Sequence, residues 1–380
     1  SYEERSADFN ARALARGERR DYLRKTYSGE NAFYVNGAAV WTISPQRLSW
    51  SLEDVAREVR TDITAPDTPS SRTNANSVST GPDFTLRLDP VNSAEIGARY
   101  IRFDIDGPGD NQSYSGRARW LHRVSVLTKL SLNYEATRVS YQDPGSFSDV
   151  FREDLFLGFE TNLPSSGVAI DAGTTRILRQ GADELNGKLA RLRLSSQLTP
   201  ESSLRASLAG EYSDTGSELL GGVTSASQTK VAVPSTPATV VAAGDVYYTK
   251  RGDIAYENRS RPFGFALSGF ARRFDFKPLN PFSPDHDFDE GGGRISCAWL
   301  YSDGVRFGAY TEYLRRTFLD FPQEDTVRST GATAGYNLTP NVSITLEAAR
   351  LAQSSTVQAN NFVDWRAMLS VAYTSGPIGR

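Results

Sequence analysis

Residues 130–137 read LSLNYEAT, and this stretch decides the fold. Its apolar residues Leu130, Leu132 and Tyr134 alternate with polar residues at positions 131, 133 and 135. Successive side chains of a β-strand point to opposite faces, so the order predicts a strand with one apolar and one polar face. Alternating blocks of this kind in the chain are about ten residues long, as at 204–213, which is the length a tilted strand needs to cross a bilayer.

The same alternation recurs along the chain, for example in residues 204–213 and 342–349, whereas helical periodicity is almost absent. Short connections rich in Pro, Asp, Asn, Ser and Gly alternate with long polar segments. The short connections are 44–46, 89–92, 127–129, 163–167, 199–203, 258–261, 302–304 and 339–341. The long segments are 17–29, 60–82, 105–113, 141–151, 177–186, 214–245, 275–289, 318–326 and 352–361. Eight short and nine long connections predict about 18 strands, with both chain ends on the short-turn side.

Composition narrows the class of protein. Hydrophobic residues make up 39% of the 380 residues and charged residues 23%, and no run approaches the roughly 18 apolar residues of a membrane-spanning helix. A search for long apolar runs does not detect a transmembrane barrel, because its lipid-facing and lumen-facing residues alternate. One cysteine excludes a disulfide framework, and a net charge of −3 argues against nucleic acid as a partner.

These patterns predict an all-β protein, a closed antiparallel transmembrane β-barrel of the bacterial outer membrane with short periplasmic turns and long extracellular loops. Residues 1–380 form one domain, with strands within about 7–374 and the longest loops near 60–82 and 214–245. A soluble sandwich or propeller is the alternative, but its inner face could not hold the Arg and Glu residues that follow whole strands here. No signal peptide precedes the first strand, so we expect the numbering to describe a processed or trimmed chain.

All five tryptophans share the apolar parity of their strands and lie near strand ends. We therefore expect them to form aromatic girdles against lipid at the two membrane rims. These residues are Trp41, Trp50, Trp120, Trp299 and Trp365. The basic segment 16–26, RGERRDYLRKT, is a candidate contact for lipopolysaccharide phosphates, although a solvated loop is the alternative.

The opposite parity carries charges that predict ion pairs lining a pore. Along a tight hairpin, the residue numbers of two facing residues always add up to the same value, so the facing pairs can be read from the sequence. Opposite charges that face each other stabilise a sheet by roughly 0.2–1 kcal/mol. The predicted pairs are Arg87 with Glu95, Arg119 with Glu135, Arg191 with Glu211, Arg294 with Glu312, and Asp83 with Arg99. Arg193 is a further pore-lining candidate. A wall of matched charges with a modest positive excess would suit neutral or mildly acidic sugars, although any polar lumen mixes charges.

The sequence predicts neither an enzyme nor a bound cofactor. His122 shares the outward parity of Trp120 and His286 lies in a loop, so no histidine is placed to act as a general base in the lumen. A weak metal candidate is the segment SPDHDFDE at 283–290, where Asp285, Asp287 and Asp289 could supply oxygen ligands to Ca²⁺. The alternative is an acidic solvated loop tip.

Residues 47–88 resemble the β-barrel porin family associated with exopolysaccharide and PEP-CTERM gene clusters. The pattern is a strand carrying Trp50, an Asp- and Pro-rich loop, Asn74 and Asn76, and then the run TGPD at 80–83 leading into LRL at 86–88. Family members often have more chain before the first strand, so the resemblance implies that Ser1 is not the natural start. The tail TSGPIGR at 374–380 replaces the usual terminal aromatic.

The resemblance implies an outer-membrane channel for an exopolysaccharide or for its secretion machinery. One alternative is a general diffusion porin for small solutes. Another is a structural barrel that encloses or anchors a partner protein of an envelope complex. A loop folded into the lumen, with 214–245 as the candidate, would favour a constricted channel, whereas a wide empty lumen would favour a sleeve.

Overall fold

The computed structural model describes residues 2–6, 8–21, 28–66, 68–106, 109–142, 149–213, 246–277, 286–339 and 341–373. In these ranges the chain is all-β, apart from two short 3-10 turns at Pro69–Ser71 and Gln358–Asn360. No helix in this part of the chain is long and apolar enough to span a bilayer. The strands are β1 Tyr2–Arg5, β2 Phe9–Arg20, β3 Glu30–Ser44, β4 Leu48–Arg60, β5 Arg72–Arg87, β6 Asn92–Ile105, β7 Asn111–Arg123, β8 Thr128–Tyr141, β9 Val150–Asn162, β10 Ser166–Arg179, β11 Leu185–Thr199, β12 Ser202–Ser213, β13 Tyr247–Asn258, β14 Phe263–Phe276, β15 Phe288–Leu300, β16 Val305–Phe318, β17 Glu324–Thr339, β18 Val342–Ser355 and β19 Phe362–Tyr373.

All strands belong to one antiparallel sheet in which each strand pairs with the next along the chain. The prediction of about 18 antiparallel strands is confirmed by β2 to β19, and the four-residue β1 is an addition that was not predicted. β1 lies on the free edge of β2, with Tyr2 opposite Ala13. Within the described residues no register pairs β19 with β2, yet Arg16 Nη2 of β2 lies 3.0 Å from Met368 Sδ of β19. Strands β2 and β19, the first and last of the 18 predicted strands, are therefore in side-chain contact.

Short and long connections alternate as predicted. The short ones are residues 45–47, 88–91, 124–127, 163–165, 200–201, 259–262, 301–304 and 340–341, and each overlaps its predicted position. Each connection reverses the direction of the chain, and short and long connections alternate. All the short connections therefore lie at the same edge of the sheet. The long connections lie at the opposite edge, which we call the mouth edge.

Several strands extend further toward the mouth edge than predicted. β5 begins at Arg72, so the loop predicted at 60–82 shrinks to residues 61–71, and Arg16 to Arg20 of the predicted basic loop belong to β2. Loop 214–245 and residues 22–27 lie outside the described residues. These two loops were predicted to be too long because a strand that continues past its apolar–polar alternation can keep its backbone hydrogen bonds to the neighbouring strands.

Strand length agrees with a membrane-spanning sheet. β4 has 13 residues and many of its neighbours are longer. Thirteen residues span about 43 Å at roughly 3.3 Å each, or about 30 Å along the membrane normal at a tilt of roughly 45°, which matches the hydrocarbon core.

The two faces of the sheet differ in chemistry. One face, here called the apolar face, exposes large hydrophobic side chains such as Leu130, Leu132 and Leu157. The charged face carries the alternate residues, including Glu135 and Arg191, and also the buried apolar clusters near the mouth edge. An exposed apolar face of this extent agrees with the predicted lipid contact on that side, since soluble proteins rarely leave such surfaces uncovered.

Candidate functional site

The five tryptophans predicted as girdle residues are all exposed, with relative accessibilities from 40% for Trp299 to 75% for Trp365. Trp41 and Trp50 face each other across the first short turn. Trp120 and Trp299 also lie within a few residues of short turns, whereas Trp365 is near the mouth-edge end of β19. Four of the five thus mark one rim, and their contact with lipid stays a prediction.

Three of the five predicted ion pairs form as contacts on the charged face, and one of them, Asp83 with Arg99, is described with the triads below. Arg294 lies directly opposite Glu312 and forms an ion pair with it. Arg191 lies opposite Ala209, two residues from the predicted register, but its guanidinium still reaches Glu211 at 2.5 Å. Long side chains bridge such diagonal positions across a ladder.

The other two predicted pairs do not form. Arg87 lies opposite Ser93, Glu95 lies opposite Thr85, and Arg119 lies opposite Asn133. The cause is in the turns: the Asp89 carboxylate accepts hydrogen bonds from the backbone N–H groups of Val91 and Asn92, and Ser125 Oγ does the same for Leu127 and Thr128. These side-chain-capped turns shift each register by two residues, which keeps every side chain on its face but changes its partner.

Asp83 and Glu211 each bind two arginines instead of one. Asp83 contacts Arg99 at 2.5 Å, as predicted, and also Arg117 at 2.6 Å. Glu211 contacts Arg191 and also Arg251, at 2.7 Å. Each acid is therefore shared within an Arg–acid–Arg triad that keeps one net positive charge.

The TGPD run at 80–83 has a structural role in the first of these triads. A Cβ atom on Gly81 would lie 2.0 Å from the carbonyl oxygen of Ala98, so only glycine fits at this close approach of two strands. Pro82 offers its carbonyl to Arg99 at 3.1 Å. The run thus brings β5 against β6 and presents Asp83 to both of its arginines.

Between the triads lies a cavity of about 180 Å³ on the charged face, here called the dish. Its floor comes from β8, β9 and β10, and its two rims come from β7 and β11, each of which contributes two arginines. Five of the predicted pore-lining residues, all from β6 to β11, are brought together here. The principal lining residues are Glu95, Arg117, Arg119, Asn133, Glu135, Phe156, Asp171, Arg191 and Arg193.

The charges of the dish are only partly paired with each other. Arg193 binds Asp171 at 3.2 Å, and the guanidinium of Arg191 lies over the ring of Phe156 at 5.4 Å. Arg119 approaches Glu95 only to 3.8 Å, which is beyond hydrogen-bond range. Glu135 makes no hydrogen bond or ion pair with any side chain of the described residues. The dish therefore holds spare donor and acceptor capacity side by side.

Near the mouth edge the charged face becomes apolar. Tyr247, Phe274 and Phe288 are 2% exposed or less and form an aromatic cluster, here called the mouth cluster, with Phe276 and Phe318. A second cluster joins Val139, Val150 and Ile177 to Val246. Water is thus excluded from parts of the wall above the dish.

Residues 61–66 and 68 of the β4–β5 connection cross to this cluster, and we call them the mouth loop. Ile63 is 3% exposed and packs in the mouth cluster, whose strands β13 to β16 follow β4 by nine or more positions along the sheet. The carbonyl of Thr64 accepts hydrogen bonds from Gln323 at 2.9 Å and from Asn360 at 2.8 Å. A sheet that brings such distant strands together must curl back on itself.

Local hydrogen bonds give the mouth loop a defined shape. Asp62 Oδ1 accepts hydrogen bonds from the backbone and hydroxyl of Thr64 and from the backbone of Ala65, and Arg60 donates to the carbonyls of residues 62, 63 and 65. Burial acts to raise the pKa of the Asp62 carboxyl, but these hydrogen bonds outweigh it and hold the pKa below its usual value. The loop therefore keeps its turn at neutral pH.

The weak metal candidate does not assemble into a site among the described residues. Asp287 accepts a hydrogen bond from the backbone of Phe276, Asp289 pairs with Arg273 at 2.6 Å, and Asp285 lies outside the described residues. No cluster of three or more metal-ligating side chains occurs in the described part of the chain. His122 contacts Asn92 at 2.9 Å and has no catalytic partner in this region.

Comparison with solved structures finds proteins with a similar fold. The FrpB iron transporter of Neisseria meningitidis (F5-1 variant) aligns with a TM-score of 0.54 at 10% identity, over 97% of this chain and 71% of that one. The siderophore receptor PirA of Pseudomonas aeruginosa aligns with a TM-score of 0.51 at 12% identity, over 98% and 67%. The fold is that of an outer-membrane β-barrel. The predicted localisation is confirmed at the level of the fold, and the similar proteins are transporters and receptors rather than enzymes.

No protein-family model matches the chain, and no curated protein matches it. The comparisons therefore support an outer-membrane β-barrel with a transporter-like fold, and the exopolysaccharide-associated porin family stays a prediction.

Proposed function

We propose that the chain closes into an 18-strand barrel and acts as an outer-membrane channel for small polar solutes, narrowed at its mouth by the mouth loop. The observation that carries the proposal is the charged face between the short turns and the mouth cluster, which a packed core could not contain but a water-filled lumen can. Strand number supports it, since barrels of 16–18 strands leave an aqueous channel whereas those of 22 strands enclose a plug.

Two other functions receive less support. Export of an exopolysaccharide, which the resemblance implies, needs an outer opening wide enough for a polymer, and the mouth cluster and mouth loop occupy part of that opening. A sleeve around a partner protein would need a lumen wide enough for that protein, and the mouth cluster and mouth loop count against this function too. The iron and siderophore functions named for the similar structures are not carried to this chain, because 10–12% identity shows the fold alone.

The direct test is single-channel recording of the purified full-length chain in planar lipid bilayers. A channel should insert in uniform conductance steps that increase with salt concentration, and heat-denatured protein should produce none. Protein that is folded by circular dichroism but never conducts would contradict the proposal.

Closure predicts that β2 and β19 can be joined covalently. In a Cys297→Ser background, cysteines at Arg16 and Met368 should be linked by a short bismaleimide in intact membranes, because these side chains already touch across the open edges. The product should change mobility on a denaturing gel. Arg16→Cys paired with Thr333→Cys of β17, on the same face, is the matched control and should not react. Equal linkage of both pairs would show an open or collapsed sheet.

The mouth loop should limit conductance. Gln323→Ala combined with Asn360→Ala removes both hydrogen bonds to Thr64, each worth about 0.5–1.5 kcal/mol, so the loop should leave its position more often. Single-channel recordings should then show larger and noisier open currents than the wild type. Gln358→Ala changes an exposed residue beside Asn360 and should leave the current as it is. Identical currents in all three proteins would mean that the loop does not narrow the path.

A further inference from the structure

Two charged groups of the dish, the Arg119 guanidinium and the Glu135 carboxylate, have unused hydrogen-bonding capacity within the described residues. Arg119 has a buried Nε without a hydrogen-bond partner, and its described carboxylate neighbour is 3.8 Å away. Glu135 faces Arg117 across the ladder and lies two residues along the strand from Asn133, the partner of Arg119. Arg117, however, is already bound to Asp83. One wall thus offers a guanidinium whose only described ion pair is too long for a hydrogen bond and a carboxylate that no described side chain binds.

The rest of the dish is fixed rather than adaptable. Arg117 and Arg191 are held by the triads, and Phe156 supports the plane of the Arg191 guanidinium. Asn133 donates to Ser131 Oγ at 3.0 Å and is 7% exposed. Preorganised groups of this kind lose little entropy when a ligand binds, which favours a specific contact over a merely polar wall.

The charge balance selects the ligand class. The six arginines of the dish and its triads are Arg99, Arg117, Arg119, Arg191, Arg193 and Arg251. The five acids are Asp83, Glu95, Glu135, Asp171 and Glu211, which leaves one net positive charge, six minus five. A simple anion would satisfy Arg119 but would be repelled by Glu135. A neutral sugar would satisfy Glu135 through a hydroxyl but would leave the Arg119 guanidinium without a hydrogen-bonded carboxylate, since Glu95 stays 3.8 Å away.

Size limits the ligand further. The cavity holds about 180 Å³, which is less than the roughly 300 Å³ at which pockets for drug-sized molecules begin. The recessed part of the dish accommodates one small polar ring or hydroxy acid. The accessible rim residue Arg193, whose side chain is 63% exposed, leaves the dish open to the lumen side.

We propose that the dish is a binding site for a single carboxylated sugar, with the sugar carboxylate on Arg119 and a sugar hydroxyl donating to Glu135. The inference rests on the proposed channel function for its biological meaning, but binding itself does not require conduction. The site would concentrate acidic monosaccharides in the lumen and so give the channel a preference among small solutes.

Isothermal titration calorimetry of the detergent-solubilised full-length chain tests the site directly, with glucuronate as the probe and glucose and acetate as comparison ligands. Glucuronate should bind, and both comparison ligands should bind at least about tenfold more weakly, the size of one lost hydrogen bond to a charged group. Arg119→Gln should weaken glucuronate binding about tenfold, whereas Arg306→Gln, on the same face of β16 and outside the dish, should not.

The Glu135→Gln variant distinguishes a specific site for a carboxylated sugar from a surface that binds any anion. The variant should raise the affinity for acetate, because it removes the repelling charge, and so reduce the preference for glucuronate. Equal binding of acetate and glucuronate by the wild type, or unchanged binding by Arg119→Gln, would overturn the proposal. A chain that conducts but does not bind glucuronate would refute the dish alone, and a chain that binds but never conducts would refute the channel alone.

Discussion

Replacing Glu290 with alanine should lower the free energy of unfolding by about 3–5 kcal/mol, because it removes the carboxylate partner of a buried guanidinium. Glu290 on β15 lies directly opposite Arg316 on β16, and their side chains, 1% and 3% exposed, are 2.6 Å apart. The Arg316 guanidinium also lies over the ring of Phe288, in the mouth cluster. Breaking the pair should therefore loosen the surface against which Ile63 packs.

Urea unfolding in phospholipid vesicles, followed by tryptophan fluorescence, measures this loss. Asp289→Ala is the matched control: it breaks the neighbouring pair with Arg273, whose two side chains are each 45% exposed, and should cost far less. The double variant Glu290→Leu with Arg316→Met should recover most of the stability, since apolar residues of similar size replace buried pairs at little cost. A loss for Glu290→Ala no larger than that for Asp289→Ala would show that water reaches the pair.

Much of the fold could be predicted from the sequence because lipid and water impose a strict alternation on each strand. Leu130 and Leu132 expose their side chains on one face while Asn133 and Glu135 lie on the other, as the pattern predicts. Register errors of one residue would move charges into lipid, so parity is strongly determined. Errors of two residues carry no such penalty, and this is why Arg87 and Arg119 received the wrong partners.

The dish and the mouth loop show what local patterns could not reveal. The Asp83 triad depends on the capped turn at Asp89, and the facing of Arg117 and Glu135 in the dish depends on the capped turn at Ser125. The side-chain hydrogen bonds of these turns set strand registers that the sum of residue numbers alone does not determine. The mouth loop depends on contacts between residues 259 and 296 positions apart, as in the bonds from Gln323 and Asn360 to Thr64. One signal was present: Ile63 is an isolated apolar residue in the polar run TDITAPD at 61–67.

Arginine on the apolar face near the middle of a strand should be the most costly substitution on the outer wall. Ala332 lies near the centre of β17, is exposed, and is flanked on the neighbouring strands by Ala309 and Ala348. An arginine there must enter the hydrocarbon core, so Ala332→Arg should lower the free energy of unfolding by about 2–4 kcal/mol in vesicles.

The adjacent residue provides the matched control for this prediction. Thr333 follows Ala332 on the same strand, points to the charged face and lies opposite Glu347 of β18, so Thr333→Arg should gain a counter-charge and leave stability nearly unchanged. Both variants add the same side chain at almost the same depth, and only the face differs. Urea unfolding of the two in phospholipid vesicles therefore isolates the contribution of lipid. If both variants were destabilised equally, the charged face would be packed rather than wet; if Thr333→Arg alone were destabilised, the two faces would be inverted, and the lumen placed on the charged face would have to be abandoned together with the dish.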